Sequence, residues 1–466
     1  MPSVPSRRNV PLNLHAAPRG PSTIRSRAVR AIAPVLLVLL SFATVFVHVP
    51  QHQELSLVDE WVYIDYLAKV PTEGVVAQGE QTGTYARTEI FCEGVRSVFG
   101  PDPAKCASAE DGTAPDAAFP NAGKNSADIY TPLYFVATWG MAQVVQFLGV
   151  DDLTEAARST GAVWLALGML FMFAAMRRLG VRREVGVGIA ALLIASPTVY
   201  WSATYVTTDA PSIAVGASLL WLAVRIVQGS PGRVAFVVVA VVGVLLKVQN
   251  IVGLAVAALA LLGWVVGQAW AERSSGPTRL HWVRRAVLSR ETATAVGAVV
   301  AAVAAQGVWL AVRAAISIGP SADQGNGVPV SVRALLQESL KFLGGTDIDP
   351  TGGENVIAVV AAGVLVGWLS VAGVLGVLAV ATKGSPEAWI SRASIVMAVL
   401  AGPLLAASVI AVTGYYFKLP PRYGMVMLPA FLTCAGLLFS RRRWLGWVLT
   451  AVGIVLYLAA LVTQTA

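Results

Sequence analysis

Long unbroken apolar runs dominate this chain, in place of the strict alternation of a half-buried strand or the single stripe of a surface helix. Eleven runs, at about 29–49, 161–176, 185–200, 212–227, 234–246, 251–270, 292–315, 356–381, 393–414, 423–439 and 444–462, approach or reach the length of a bilayer-crossing helix, about 20 residues. A twelfth stretch, 130–149, is shorter in effect: it starts at Thr131-Pro132 and is interrupted by Gln143 and Gln146. The pattern predicts an all-α integral membrane protein of about eleven transmembrane helices. The first run is longer than the roughly 7–15 apolar residues of a signal peptide, so it reads as a retained span.

Polar segments between the runs set an expected orientation. Basic residues collect in the tail before residue 31 and in the segments 177–183, 225–233, 271–290, 383–392 and 441–443, which hold 22 of the 34 Lys and Arg. Cytoplasmic connections carry the basic excess of membrane proteins, so these segments are expected inside. That arrangement requires 130–149 to lie half-buried at the exoplasmic surface, because a crossing there would turn the Arg177-Arg178, Arg182-Arg183 and Arg441-Arg442-Arg443 clusters outward. The expected organisation is a disordered basic cytoplasmic tail (1–28), a first transmembrane helix (29–49), an exoplasmic loop with interfacial helices (50–160) and a transmembrane core (161–464) with a second exoplasmic loop at 317–355. The N-terminus is then cytoplasmic and the C-terminus exoplasmic.

Composition removes the soluble alternatives. Charged residues are 13% of the chain, against about 25% in a soluble domain, hydrophobic residues are 56%, and the mean hydropathy is +0.67. The net charge of +8 therefore reports orientation and gives no reason to expect nucleic acid. No Gly-rich nucleotide loop is present, and His15, His48, His52 and His281 form no metal-ligand spacing.

Chemistry gathers on the expected exoplasmic side. In LSLVDEWVYIDYLAKV, Leu57, Trp61, Ile64 and Ala68 recur at helical spacing, with Asp59, Tyr63 and Tyr66 on the other side, which predicts a helix lying on the membrane with a polar face to water. Ser56 and Asp59 also fit a capping box, the ordinary explanation for such a pair. Asp209, in SPTVYWSATYVTTDAPS, either starts the next helix or joins Asp59-Glu60 in a set of carboxylates suited to act as base, to hold sugar hydroxyls or to bind a divalent ion such as Mg or Mn. Lys247 is unexpected next to a span, where an unpartnered lysine costs about 3 kcal/mol; it either snorkels outward or meets an anion. Lys418 and Arg422, around Pro420-Pro421, form either an interfacial anchor or a phosphate site. Cys92 and Cys106 share the first loop and are positioned for a disulfide or for two free thiols, while Cys434 is intramembrane.

With these residues in place, the chain resembles the GT-C superfamily of membrane glycosyltransferases, particularly bacterial relatives of protein O-mannosyltransferases and the lipid A aminoarabinose transferase. Asp59-Glu60 is similar to the acidic motif opening the family's first loop. YTPLYF, Tyr130 to Phe135, resembles a loop-ending H-P-P-L-Y-Y, with Tyr130 at the histidine position and Thr131 at the first proline. Ser196-Pro197 through Thr208-Asp209, Lys247, and Arg422-Tyr423 through Pro429 resemble later marks in the same order. The resemblance implies transfer of a sugar from a polyprenyl-phosphate carrier to an envelope glycan, lipid or protein on the exoplasmic side. It implies catalytic roles for Asp59, Glu60 and Asp209, a donor phosphate site at Lys247, Lys418 and Arg422, and a substrate cavity bordered by Tyr63, Tyr66, Tyr130 and Tyr205. A lipid or solute transporter, with Lys247 paired to an acid, and a catalytically silent envelope scaffold are the readings from other classes.

Overall fold

The computed structural model describes residues 24–463 apart from 97, 99, 273–278, 323, 324, 326 and 344–356. Most of the tail expected to be disordered lies outside the described residues, as does much of the second loop. From Ile24 onward the chain is already helical, so the first helix, Ile24–His48, begins earlier than its apolar run.

Among the described residues the architecture is helical, with three isolated β-bridges and no strand. Eight helices among the described residues are long and apolar enough to cross a membrane: Ala31–Gln51, Leu153–Arg178, Val248–Ala271, Arg290–Ala315, Ile357–Val380, Pro386–Thr413, Pro421–Phe439 and Arg443–Val462. A ninth is broken. Arg183–Ile194 and Pro197–Thr204 meet at 68°, where the continuous run suggested one straight span. Pro197 has no N–H to give the preceding turn, and Ser196 is extended, so one helix ends and another starts there. Two further apolar helices, Ser212–Val227 and Arg233–Leu246, hold 16 and 14 residues, which is short for a crossing.

Contacts divide the connections into two sets at opposite ends of the bundle. At one end alternate connections meet: in the first loop His52 bonds Thr204, Thr131 donates to the Leu245 carbonyl and Asp128 pairs with Arg313, and in the second Val328 pairs with Tyr416 in a short bridge. At the other end Arg182 N donates to Ser440 Oγ, Arg178 bonds Gln228, Arg233 pairs with Glu291, and Arg441 donates to the Val380 carbonyl. The first is the loop end of the bundle and the second its basic end.

Small residues allow close helix approach, as expected where lipid removes the hydrophobic drive between helices. Gly188 and Gly453 face each other across Arg183–Ile194 and Arg443–Val462, and a Cβ on Gly453 would strike the Gly188 carbonyl. Outward faces remain apolar, with Val300, Trp368, Leu404 and Val455 all exposed. These faces are what a lipid-embedded bundle presents.

The first loop is itself built of helices: Glu60–Glu73, Thr84–Cys92, Pro103–Glu110 and Leu133–Phe147. The Cys92 and Cys106 sulfurs are bonded to each other, joining the second of these helices to the third. Helix Glu60–Glu73 does not turn Tyr63 and Tyr66 to water as its pattern suggested. Both are buried, because Leu133–Phe147 covers that face and Phe135 stacks on Tyr66 with ring centroids 4.0 Å apart.

Candidate functional site

The site lies at the loop end, where four chain breaks converge. Asp59 precedes helix Glu60–Glu73 in the left-handed region, at φ 58° and ψ 4°, a conformation Asp tolerates better than most residues. Asp209 lies in the link between Pro197–Thr204 and Ser212–Val227. Lys247 is extended, at φ −160°, and separates Arg233–Leu246 from Val248–Asn250. Arg422 sits in the 3-10 turn Pro421–Met427, which Pro420 and Pro421 start.

These breaks place two cations on one buried carboxylate. Lys247 Nζ is 2.5 Å from one Asp209 oxygen, and Arg422 Nε is 3.5 Å from the other. Lys247 and Asp209 are 2% exposed, so the lysine neither snorkels to the surface nor lacks a partner. Aromatic rings wall the cluster: Lys247 lies over Tyr423 at 5.0 Å, and Arg422 lies between Trp201 and Tyr423 at 5.3 and 5.7 Å. Tyr63 and Tyr130 approach through their hydroxyls at 3.4 Å.

The Asp59 carboxyl belongs to the same electrostatic unit. Burial pushes its pKa above the usual carboxylate range, Arg422 and Lys247 pull it down, and Asp209 pushes it up again. Burial also raises the Tyr130 hydroxyl to about 12, helped by the negative charge of Asp59. Asp59 makes no cap hydrogen bond, so the expected Ser56–Asp59 capping box does not form. Ser56 N instead donates to Glu60 at 2.7 Å, and Ser56 Oγ accepts from Trp201 Nε1 at 2.8 Å. The Asp59 side chain is thereby released from helix capping.

Glu60 has a different task from the one its sequence position suggested. Its two oxygens accept from Arg158 Nε and Nη2, both at 2.9 Å, from Ser56 N and from Val206 N at 2.8 Å. Arg158 also donates to the His52 and Glu54 carbonyls. A carboxylate saturated by four donors ties the first loop to the start of Leu153–Arg178 and has no lone pair to offer a sugar. Tyr205 belongs to this clamp, stacked on His52 at 4.0 Å with the Arg158 guanidinium 5.2 Å above it. Tyr66 is core, and Lys418 is exposed outside the cluster. The structure thus gathers Asp59, Asp209, Lys247, Arg422, Tyr63 and Tyr130, and engages Glu60, Tyr205 and Tyr66 elsewhere while leaving Lys418 exposed.

Three residues that the sequence did not single out complete the picture. Arg158 is one of many charged residues in the first loop, and only its place just before an apolar run sets it apart. Trp201 and Tyr423 lie inside motifs already noted, where an aromatic looks like an anchor. The YTPLYF segment binds the parts together: Tyr130 faces Tyr63, Thr131 Oγ1 donates to the Leu245 carbonyl at 2.5 Å two residues from Lys247, and Tyr134 OH accepts from Thr207 N at 3.1 Å two residues from Asp209.

A hard divalent ion takes about six oxygens, and these residues do not fit one. The Asp209 oxygens face Lys247 and Arg422, and the Glu60 oxygens are saturated. Among the described residues, Cys92, Cys106 and Glu110 form the one group of three ligand-type side chains within reach of an ion, and its two sulfurs are bonded to each other. No protein-family model matches the chain, and a search among curated proteins returns no match.

Proposed function

We propose that this protein is an integral membrane glycosyltransferase of GT-C type that transfers a sugar from a polyprenyl-phosphate donor to an envelope glycan, lipid or protein. The observation that carries the reading is the Asp209–Lys247–Arg422 cluster beside Asp59, at the end where every second connection meets. A transferase of this kind needs fixed cations for a leaving phosphate and a base for the acceptor, held together at the membrane surface.

In this mechanism Asp59 takes the proton from the acceptor hydroxyl as its oxygen bonds to the sugar's anomeric carbon. The bond from that carbon to the phosphate oxygen breaks, and its electron pair leaves with the carrier. Lys247 and Arg422 meet the charge that grows on the leaving phosphate, a role for which oriented cations in a dry site are effective. Asp209 orients both cations, whereas its sequence context suggested that it would hold sugar hydroxyls or a divalent ion together with Glu60. The reading includes eleven crossings, with the bent pair and the two short helices counted as spans, the loop end exoplasmic and the basic end cytoplasmic.

A transport reading draws on the same pair, since a buried Lys247–Asp209 contact also suits a group that changes partner during solute passage. Purified protein in vesicles, supplied with a radiolabelled polyprenyl-phosphate sugar, separates the two. The transferase releases carrier phosphate and labels an acceptor in the same compartment. Movement of label across the bilayer without cleavage of the phosphate bond would favour transport and overturn the proposal.

A further inference from the structure

At the basic end, away from the proposed site, the link between Val248–Ala271 and Arg290–Ala315 contains a short helix, Arg279–Val287. Trp282 and Ala286, one turn apart, pack it against Val265 and Ala269 of the preceding span, and Trp282 meets the Trp270 ring edge-on at 5.2 Å. Arg285 pairs with Glu272 on the same side. The adjacent stripe is apolar and uncovered: Val283, Val287 and Leu288 are 37%, 61% and 70% exposed. Beside it Arg284 and Arg290 are exposed. The acids of this stretch are already engaged, Glu272 by Arg285 and Glu291 by Arg233 at 2.6 Å.

We propose that this helix lies in the headgroup layer and binds anionic phospholipids, with Arg284 and Arg290 on the phosphates and Val283, Val287 and Leu288 among the upper acyl carbons. Position selects lipid over a protein partner. Only Leu288 and Ser289 separate the helix from the next span, whose cap is Ser289, so the apolar stripe sits at the bilayer boundary by construction. Short helices with an apolar stripe and flanking arginines partition into that boundary and prefer negatively charged lipid. The inference requires a membrane protein and does not depend on sugar transfer.

The test uses the full chain purified in mild detergent and returned to vesicles of phosphatidylglycerol or phosphatidylcholine. In native mass spectrometry of a mixed-lipid sample, the protein should retain phosphatidylglycerol in preference. Arg284→Gln with Arg290→Gln should lower that preference by about fivefold for each arginine. A second readout does not depend on charge. Val287→Cys can be labelled selectively with an environment-sensitive dye, because Cys434 is buried and Cys92 is bonded to Cys106. The dye should be quenched by brominated lipid and protected from iodide. Equal retention of both lipids, a dye open to iodide, or a dye shielded only after a second protein is added would each overturn the proposal.

Discussion

Asp59 is held by backbone that it does not itself stabilise. Its left-handed conformation and missing cap bond give a position that folding alone would not select, whereas Glu60 beside it is saturated. Asp59→Asn should keep expression and lower transfer by roughly 10² to 10⁴, measured with labelled donor at saturating acceptor. The pH dependence follows from the raised carboxyl. Its base form accumulates only above the usual value of about 4, so the acidic limb of the rate profile should lie higher than that, and it should vanish in the Asn variant. The folded protein binds this proton more tightly than the unfolded chain, so Asp59 favours folding at low pH, and that benefit is lost as pH rises through the raised pKa. Asp59→Asn should therefore melt no lower than the parent at neutral pH. The buried pair gives a second test. Lys247→Met leaves Asp209 with Arg422 alone and should cost about 3 to 5 kcal/mol, while Lys247→Met with Asp209→Asn should recover most of the lost thermal stability. Neither variant should bind the carrier normally. Asp59, Asp209, Lys247 and Arg422 were all legible in the sequence, because charge beside an apolar run is costly and therefore visible. The Glu60–Arg158 clamp was not, since its partners lie 98 positions apart and nothing local marks them as a pair.

The elements around Arg422 are fixed from the second loop. Glu338 is buried beside helix Pro386–Thr413, accepts from Tyr416 OH at 2.5 Å and pairs with Lys341 at 2.6 Å, and Lys341 donates to the Leu419 carbonyl. Phe342 packs against Gly424, where a Cβ would clash with it. The strand-like entry to Pro420-Pro421-Arg422 is thus held on two sides. Glu338→Ala should raise the KM for donor by several-fold or more with a smaller effect on kcat, and Glu338→Gln, which still accepts from Tyr416, should restore much of the loss. An equal fall in kcat for both variants would argue against a positioning role. Element by element, apolar runs fixed where helices occur, since burial in lipid demands continuous hydrophobicity. They did not reveal the 68° break after Arg183–Ile194, because a proline at the start of a helix and one within a span look alike in sequence. The water-facing side expected for Glu60–Glu73 failed for a related reason: periodicity shows that a helix has two faces, and only the packing of Leu133–Phe147 shows that both are covered.

For the whole molecule, alternate connections meet at opposite ends and the basic segments share one of them; the proposed orientation puts that end in the cytoplasm. Reporter fusions at Arg182 and Arg442 should signal cytoplasm, and a fusion in the Asp116 segment should signal the other compartment. Opposite signals would invert the molecule and move the carboxylates to the cytoplasm. The two shortest apolar helices have a further consequence. Ser212–Val227 and Arg233–Leu246 pack together beside the cluster, and at 1.5 Å per residue their 16 and 14 residues rise only about 24 and 21 Å, against roughly 30 Å of hydrocarbon. Ser212–Val227 is enclosed by other helices, but Arg233–Leu246 turns Val234, Val238 and Val242 outward, so if it crosses, as the proposed reading has it, the bilayer pinches inward along that flank. A lipid-borne phosphate resting on such a dimple sits several ångströms deeper than its neighbours and needs less lifting to reach Lys247. Reconstitution across a series of acyl-chain lengths should therefore give fastest transfer in the thinnest bilayers that keep the protein folded, with the rate falling as chains lengthen and the dimple becomes costlier to maintain.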